Sequence, residues 1–276
     1  MQKSEHSALG TLVRQWVTVV AVLMAIAVNA ISNIYPPAGK NTGEVSNTIL
    51  GGVLITPAGY AFAIWGLIYL ALIAYSLYQA LPANRHNAAI AKVSWGLVGA
   101  CVLQIAWIYV FLTFQFWGSV VLMAGILGCL IFSYLATRTL RPTRQIRWLV
   151  QAPISVYFGW ITVAAVVNVA GALYAMKIPA GTVSEYVGTV EASAGGIALT
   201  VAMLCVSAAI SATIAFRYGD AAYPAVTVWA LCAIALKHAD TLPIRSVVSV
   251  VSVMLAIGLS ALIVRVVVTG QGRPSR

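Results

Sequence analysis

Charge is what this sequence has least of. Only 8% of its 276 residues are Asp, Glu, Lys or Arg, against 61% that are hydrophobic, whereas an ordinary soluble domain carries about 25% charged residues. So thin a supply cannot clothe a water-facing surface of this size, which excludes a soluble enzyme. The scarcity is sharpest where it matters, since no Asp, Glu, Lys or Arg lies near the middle of any long apolar segment. Ion-coupled transporters usually place an ionisable relay at that depth and many channels use charged rings, so both classes are disfavoured. Cysteine and histidine are sparse too. Cys101, Cys129, Cys205 and Cys232 each fall inside an apolar run, with no CxxC or Cys/His ligand spacing, and read as small buried hydrophobes. His6, His86 and His238 lie at segment ends or outside, leaving no intramembrane pair to hold a haem iron axially. A Gly-rich phosphate loop, a nucleophile elbow and a His/carboxylate metal motif are all missing, so catalysis by a familiar side-chain constellation has no footing and no cofactor is required.

What the chain does have is apolar length. Windows bounded by charge or by Pro/Gly clusters predict helices at 13–34, 57–80, 92–113, 117–137, 147–170, 194–216, 222–238 and 245–268, and a bilayer core about 30 Å thick needs about 20 residues per crossing. The expected fold is therefore an all-α polytopic membrane bundle of about eight transmembrane helices, with lipid as its main partner. The first apolar run is longer than the core of a signal peptide and ends in Asn-Ala-Ile-Ser-Asn without a small-residue cleavage site, so it reads as retained. The seventh window is the shortest. Helices three and four, joined only by residues around Phe114 to Trp117, must be antiparallel neighbours.

The net charge of +10 does not make a nucleic-acid surface, because the basic residues sit in the connections rather than on one helix face. There they orient the bundle. With a cytoplasmic N-terminus, Lys3, Arg14, Arg85, Lys92, Arg138, Arg141, Arg144, Arg147, Arg217, Arg265, Arg273 and Arg276 lie inside. Lys40, Lys177, Lys237 and Arg245 are left outside. Both termini are thus expected in the cytoplasm. Two long connections, Tyr35 to Thr56 and Gly171 to Ser193, the latter with Glu185 and Glu191, then face outward, where loops of this length serve as lids or as tolerated surface.

Polar groups that lipid cannot solvate should point inward. Asn29 and Asn33 on helix one, Gln104 on helix three and Asn168 on helix five are either interhelical glue, worth about 1 kcal/mol each, or ligand contacts. Trp16, Trp117 and Trp148 at segment ends suit an interfacial belt. Trp107 and Trp160 lie deeper, and together with Trp65, Tyr69 and Tyr157 they could wall a cavity for a flat apolar ligand with polar edges, such as a tetrapyrrole or sterol. Ala208, Ser211, Ala212 and Ala215 give helix six a close-packing face, usable within the bundle or against a partner.

Three stretches resemble a known family. Thr56-Pro57-Ala58-Gly59-Tyr60-Ala61-Phe62-Ala63-Ile64-Trp65-Gly66-Leu67-Ile68-Tyr69 is similar to the second helix of the tryptophan-rich sensory protein and translocator protein family (TspO/MBR), with Pro57, Trp65 and Tyr69 in its spacing. Leu103-Gln104-Ile105-Ala106-Trp107 resembles the family's Leu-Asn-x-x-Trp, with Gln for Asn. Tyr157 and Trp160, followed by Ala164 and Asn168, resemble its helix-five pattern. The family's Pro before the helix-two Trp is replaced by Ala63, and the Pro at the start of helix five is shifted to Pro153. The resemblance implies a TspO-like five-helix bundle over 1–170 and a three-helix extension over 171–276, as in longer bacterial members of a cytoplasmic membrane, where the loop holding Thr42 to Ser46 recurs. It also implies a porphyrin, haem or sterol ligand, with the Tyr35 to Thr56 loop as lid. Trp65, Tyr69, Gln104, Trp107, Tyr157, Trp160, Ala164 and Asn168 would be its binding residues. Short members often pair, so the resemblance leaves room for a homodimer without fixing the oligomeric state, and sensing or transport is the implied role. Secondary transport of another small molecule and partner docking are the alternatives.

Overall fold

The computed structural model describes residues 2–175, 194–239 and 243–269, and the regular elements among them are helical. Eight long helices follow in order: α1 (Gln2–Ile34), α2 (Ile64–Ala80), α3 (Ala88–Leu112), α4 (Phe116–Thr137), α5 (Ala152–Ala175), α6 (Ala194–Tyr218), α7 (Ala222–Lys237) and α8 (Pro243–Thr269). Seven are long and apolar enough to cross a membrane, α2 counted from Gly59 and α5 from Arg144. The exception is α7, whose 16 residues reach only about 24 Å at 1.5 Å per residue. Its short length is tolerable because most of its surface is covered by protein, with Ala225, Trp229, Cys232 and Leu236 left on one exposed face. Tyr223, Val226, Ala230, Leu231, Ala233 and Ile234 are all enclosed by protein.

The first five helices close a ring. α1 packs on α2 and α3, α2 on α5, α5 on α4, and α4 on α3. The expected α3–α4 pairing is the most extensive contact of all. Its turn is tight enough to hold Phe114 at φ 63°, and Gly96 brings the backbones together: a Cβ there would sit 2.9 Å from the Cys129 carbonyl oxygen. Outside the ring, α7 lies against α5, and α6, α7 and α8 pack on one another. Gly159 permits the α5–α7 approach, since a Cβ would meet the Tyr223 carbonyl oxygen at 3.0 Å. The small face of α6 is spent internally: Ala208, Ser211 and Ala215 are buried, and the Ser211 hydroxyl hydrogen-bonds that of Thr227 on α7.

One buried ion pair fastens the extension to the ring. At the turn before α7, Asp220 is 6% exposed. Its Oδ2 accepts from Arg138 Nη2 at 2.7 Å, Ser155 Oγ at 2.6 Å and Tyr134 Oη at 3.0 Å. Its Oδ1 accepts the Ala222 N–H at 2.9 Å, satisfying a helix-start donor that would otherwise be orphaned. The Arg138 guanidinium also lies over the Tyr134 ring, 4.1 Å from its centre. One carboxylate thereby joins α4, α5 and α7.

The structure departs from the sequence expectations in four places. α1 begins at Gln2 rather than near 13, because a helix can continue into water beyond its apolar span from Leu9. A wide turn, Arg147–Gln151, lies within the fifth crossing, which the hydropathy pattern alone could not show. Asn33 does not point inward: it is exposed and donates to the carbonyl of the half-buried Asn29 at 2.8 Å on the same helix. The second long connection, placed over 171–193, starts later because α5 runs to Ala175, and its remainder, with Glu185 and Glu191, lies outside the described residues. Trp16, Trp117 and Trp148 are exposed, as a belt requires.

The ion pair makes a testable claim. Asp220→Ala strands the Arg138 guanidinium and should cost about 3 kcal/mol, lowering the thermal unfolding midpoint in detergent. The Arg138→Met/Asp220→Leu double variant should recover only the part due to the stranded charge, because Ser155, Tyr134 and the Ala222 N–H still lose their acceptor. Equal midpoints for the wild type and Asp220→Ala would show that the carboxylate does not hold α7.

Candidate functional site

Between α1 and α2 the chain folds back over one end of the ring as a flap, and its local chemistry explains its shape. Asn41 and Glu44 form a reciprocal cap, Asn41 Oδ1 accepting the Glu44 N–H at 3.0 Å while Glu44 Oε2 accepts the Asn41 N–H at 2.8 Å. A wide turn, Val45–Ile49, follows and is closed by the Leu50 N–H on the Val45 carbonyl at 2.9 Å. Wide turns of this kind are rare and often mark functional sites. Here it precedes Leu50, which is buried against α5. Gly171 makes room for it, as a Cβ there would lie 2.9 Å from Leu50 Cδ1.

Beneath the flap is a chamber of about 50 Å³, room for a few water molecules, since one needs about 10–15 Å³ on this scale. Trp107 and Phe111 of α3 line it on one side, and Trp160, Val163, Ala164, Val167 and Asn168 of α5 on another. Both sets recur at helical spacing, which puts each on one face of its helix. Phe62 and the flap residues Thr42, Ser46, Leu50, Thr56 and Pro57 complete the enclosure. The Trp107 and Phe111 rings stack with centres 4.8 Å apart, and Phe62 meets Trp160 edge-on at 6.1 Å.

Two polar residues of the lining, Trp107 and Asn168, are committed to each other, whereas the Thr56 hydroxyl is buried without a partner. Trp107 Nε1 donates to Asn168 Oδ1 at 3.0 Å, and Asn168 Nδ2 donates to Ser119 Oγ at 2.8 Å. The Ser119 hydroxyl in turn donates to the Phe116 carbonyl at 2.7 Å. This relay crosses α3, α5 and α4, and fixes the tilt of the Trp107 indole.

Of the residues singled out from sequence, Trp107, Trp160, Ala164 and Asn168 line the chamber, whereas Trp65, Tyr69, Tyr157 and Gln104 do not. Trp65 stands one layer back, its ring centre 6.5 Å from that of Trp160, 6.1 Å from Tyr157 and 5.4 Å from Tyr69. Gln104 is 2% exposed, and neither atom of its side-chain amide has a hydrogen-bond partner. The Tyr69 hydroxyl is also buried without one. Sequence reasoning missed Phe62, Phe111, Val163, Val167, Leu50 and Ser119. Phe111 was within reach, four residues from Trp107 on the same face. Ser119 carried no local signal, since its role exists only once α4 meets α5.

A ring of apolar helices with a roofed aromatic chamber at one end defines a polytopic membrane bundle with an internal cavity. The model of the TSPO-like protein family matches residues 15–265, and the chain belongs to that family. The match runs from α1 into α8, so it takes in the three C-terminal helices that the recognisable motifs did not reach. No curated protein and no solved structure matches the chain significantly.

Replacing Asn168 by Val removes the acceptor for Trp107 and should destabilise the protein by about 1–3 kcal/mol. Ser119→Ala leaves the Trp107 bond in place and should cost less. Thermal melts in detergent decide this, and a midpoint unaffected by Asn168→Val would remove the relay from the account.

Proposed function

We propose that the chamber beneath the flap binds a flat, mainly apolar small molecule with a polar edge, of tetrapyrrole (porphyrin or haem) or sterol type, and that the protein senses or moves it within the membrane. The observation that carries this reading is a roofed cavity walled by Trp107 and Trp160 in a TSPO-like chain. Aromatic faces favour a planar guest. The unpartnered Gln104 amide and Tyr69 hydroxyl lie outside the lining. Each such group costs about 1–3 kcal/mol while it lacks a partner, and a guest's carbonyl or N–H reaching deeper than the present lining would recover part of that.

Size sets a condition. About 50 Å³ is well below the room a drug-sized ligand occupies, for which pockets run to about 300–1,000 Å³. A tetrapyrrole therefore enters only if the flap lifts and the Trp107 and Trp160 side chains part. With no acid or base in the lining to activate the Thr42, Ser46 or Thr56 hydroxyl, the chamber is suited to holding a guest rather than transforming it. Charge asymmetry supports an orientation with both termini in the cytoplasm and the flap outward, in the cytoplasmic membrane of a bacterium.

The test is titration of the purified full-length protein with protoporphyrin IX, following tryptophan fluorescence. Saturable quenching is expected, with an affinity reduced about tenfold or more in Trp160→Ala and about tenfold in Gln104→Leu, a factor equal to 1.4 kcal/mol. Linear, non-saturating quenching, or an identical curve for Trp160→Ala, would overturn the reading.

A further inference from the structure

The flap meets α7 at a series of matched points. Trp229 Nε1 donates to the Ala61 carbonyl at 3.1 Å, the Ala58 N–H donates to the Ala233 carbonyl at 3.2 Å, and His238 Nε2 lies 2.8 Å from the Leu54 carbonyl oxygen. The Tyr60 ring also meets the Trp229 ring edge-on, 5.4 Å between centres. Positions rise along α7 from 229 to 233 to 238 as they fall along the flap from 61 to 58 to 54. The flap thus runs antiparallel to α7, fastened by its own main-chain groups. The Leu54 carbonyl and the Ala58 N–H precede the helical span that starts at Gly59, and backbone polar atoms in apolar surroundings require partners. Where Leu50 meets Gly171 of the ring, by contrast, the contact is apolar.

We propose that α7 is the latch of the flap, so that the C-terminal extension sets how fast the chamber can be entered. Lifting the flap must break its hydrogen bonds to α7, while its remaining hold is apolar, through the buried side chains of Val45, Leu50, Val53, Leu54 and Ile55. The part of this inference that concerns entry rests on the chamber being a ligand site; the latch itself does not. α7 can serve this purpose because its other end is anchored by Asp220, leaving the flap as the piece that moves.

Two single substitutions remove one tether each with little disturbance. Trp229→Phe deletes the Nε1 donor and keeps an aromatic ring near Tyr60. Ala58→Pro deletes the N–H donor at a residue whose φ of −59° already suits proline. Hydrogen–deuterium exchange of the full-length protein in lipid nanodiscs is the primary readout. Amides over 50–63 should exchange about fivefold faster for each hydrogen bond removed, with those of α3 and α4 unchanged and the circular dichroism retained. The association rate of protoporphyrin IX, by stopped-flow fluorescence, should rise by a similar factor. Flap exchange unchanged in both variants would overturn the latch. Faster exchange with unaltered porphyrin association would overturn its control of entry. Faster exchange in a protein that binds no porphyrin would uphold the latch and sink the ligand reading instead.

Discussion

Lipid offers no hydrogen bonds, so every main-chain N–H and C=O at membrane depth must find its partner within the protein. Helices meet that demand by themselves, and the architecture follows from where the chain does not. The longest described stretch between membrane helices runs from Tyr35 to the start of the 3₁₀ turn at Gly59. It satisfies itself locally through the Asn41–Glu44 cap and the wide turn before Leu50, and takes the remaining partners from α7. This gives a physical reason for α7 to be short and largely covered. A helix packed on α5, α6, α8 and the flap has less need to match the thickness of the bilayer.

The same economy of partners governs the other end of α7. Asp220 is an uncommon residue in a chain with six acids, and it is used at an uncommon density, with one carboxylate oxygen shared by Arg138, Ser155 and Tyr134. A buried pair gains little over a well-packed apolar contact unless its remaining hydrogen-bonding capacity is filled. Here the serine, the tyrosine and the helix-start N–H groups fill it, which makes the pair a device for fixing position as much as for adding stability.

Hydropathy made the fold legible because lipid imposes a length on each crossing. All eight windows correspond to helices, and even the weakest, at 222–238, coincides with α7 to within a residue. The α3–α4 pairing was legible from a connection too short to reach anywhere else. What hydropathy could not show was the order of helices around the ring or the packing of α7 on α5, since both depend on close approaches such as that at Gly159. For the site, residue type and helical spacing led to Trp107, Trp160, Ala164 and Asn168, but not to depth. Trp65 and Tyr157 have the same chemistry yet stand behind Trp160, a difference of rotation that no pattern of letters records. The flap residues were placed only as a loop, and Leu50 enters the lining through a wide turn that has no hydropathy signature.

The relay among Trp107, Asn168 and Ser119 has a consequence for selectivity. Once the indole and the amide are committed to each other and to Ser119, they present to the cavity mainly their carbon surfaces, and the remaining walls are mostly apolar, with the hydroxyls of Thr42, Ser46 and Thr56 on the flap side. Walls of that kind distinguish congeners mainly by girth, and one methylene is worth only about 1–3 kcal/mol in such a pocket. The lining is therefore tolerant by construction: it would admit a range of similarly shaped compounds with graded rather than all-or-none preference.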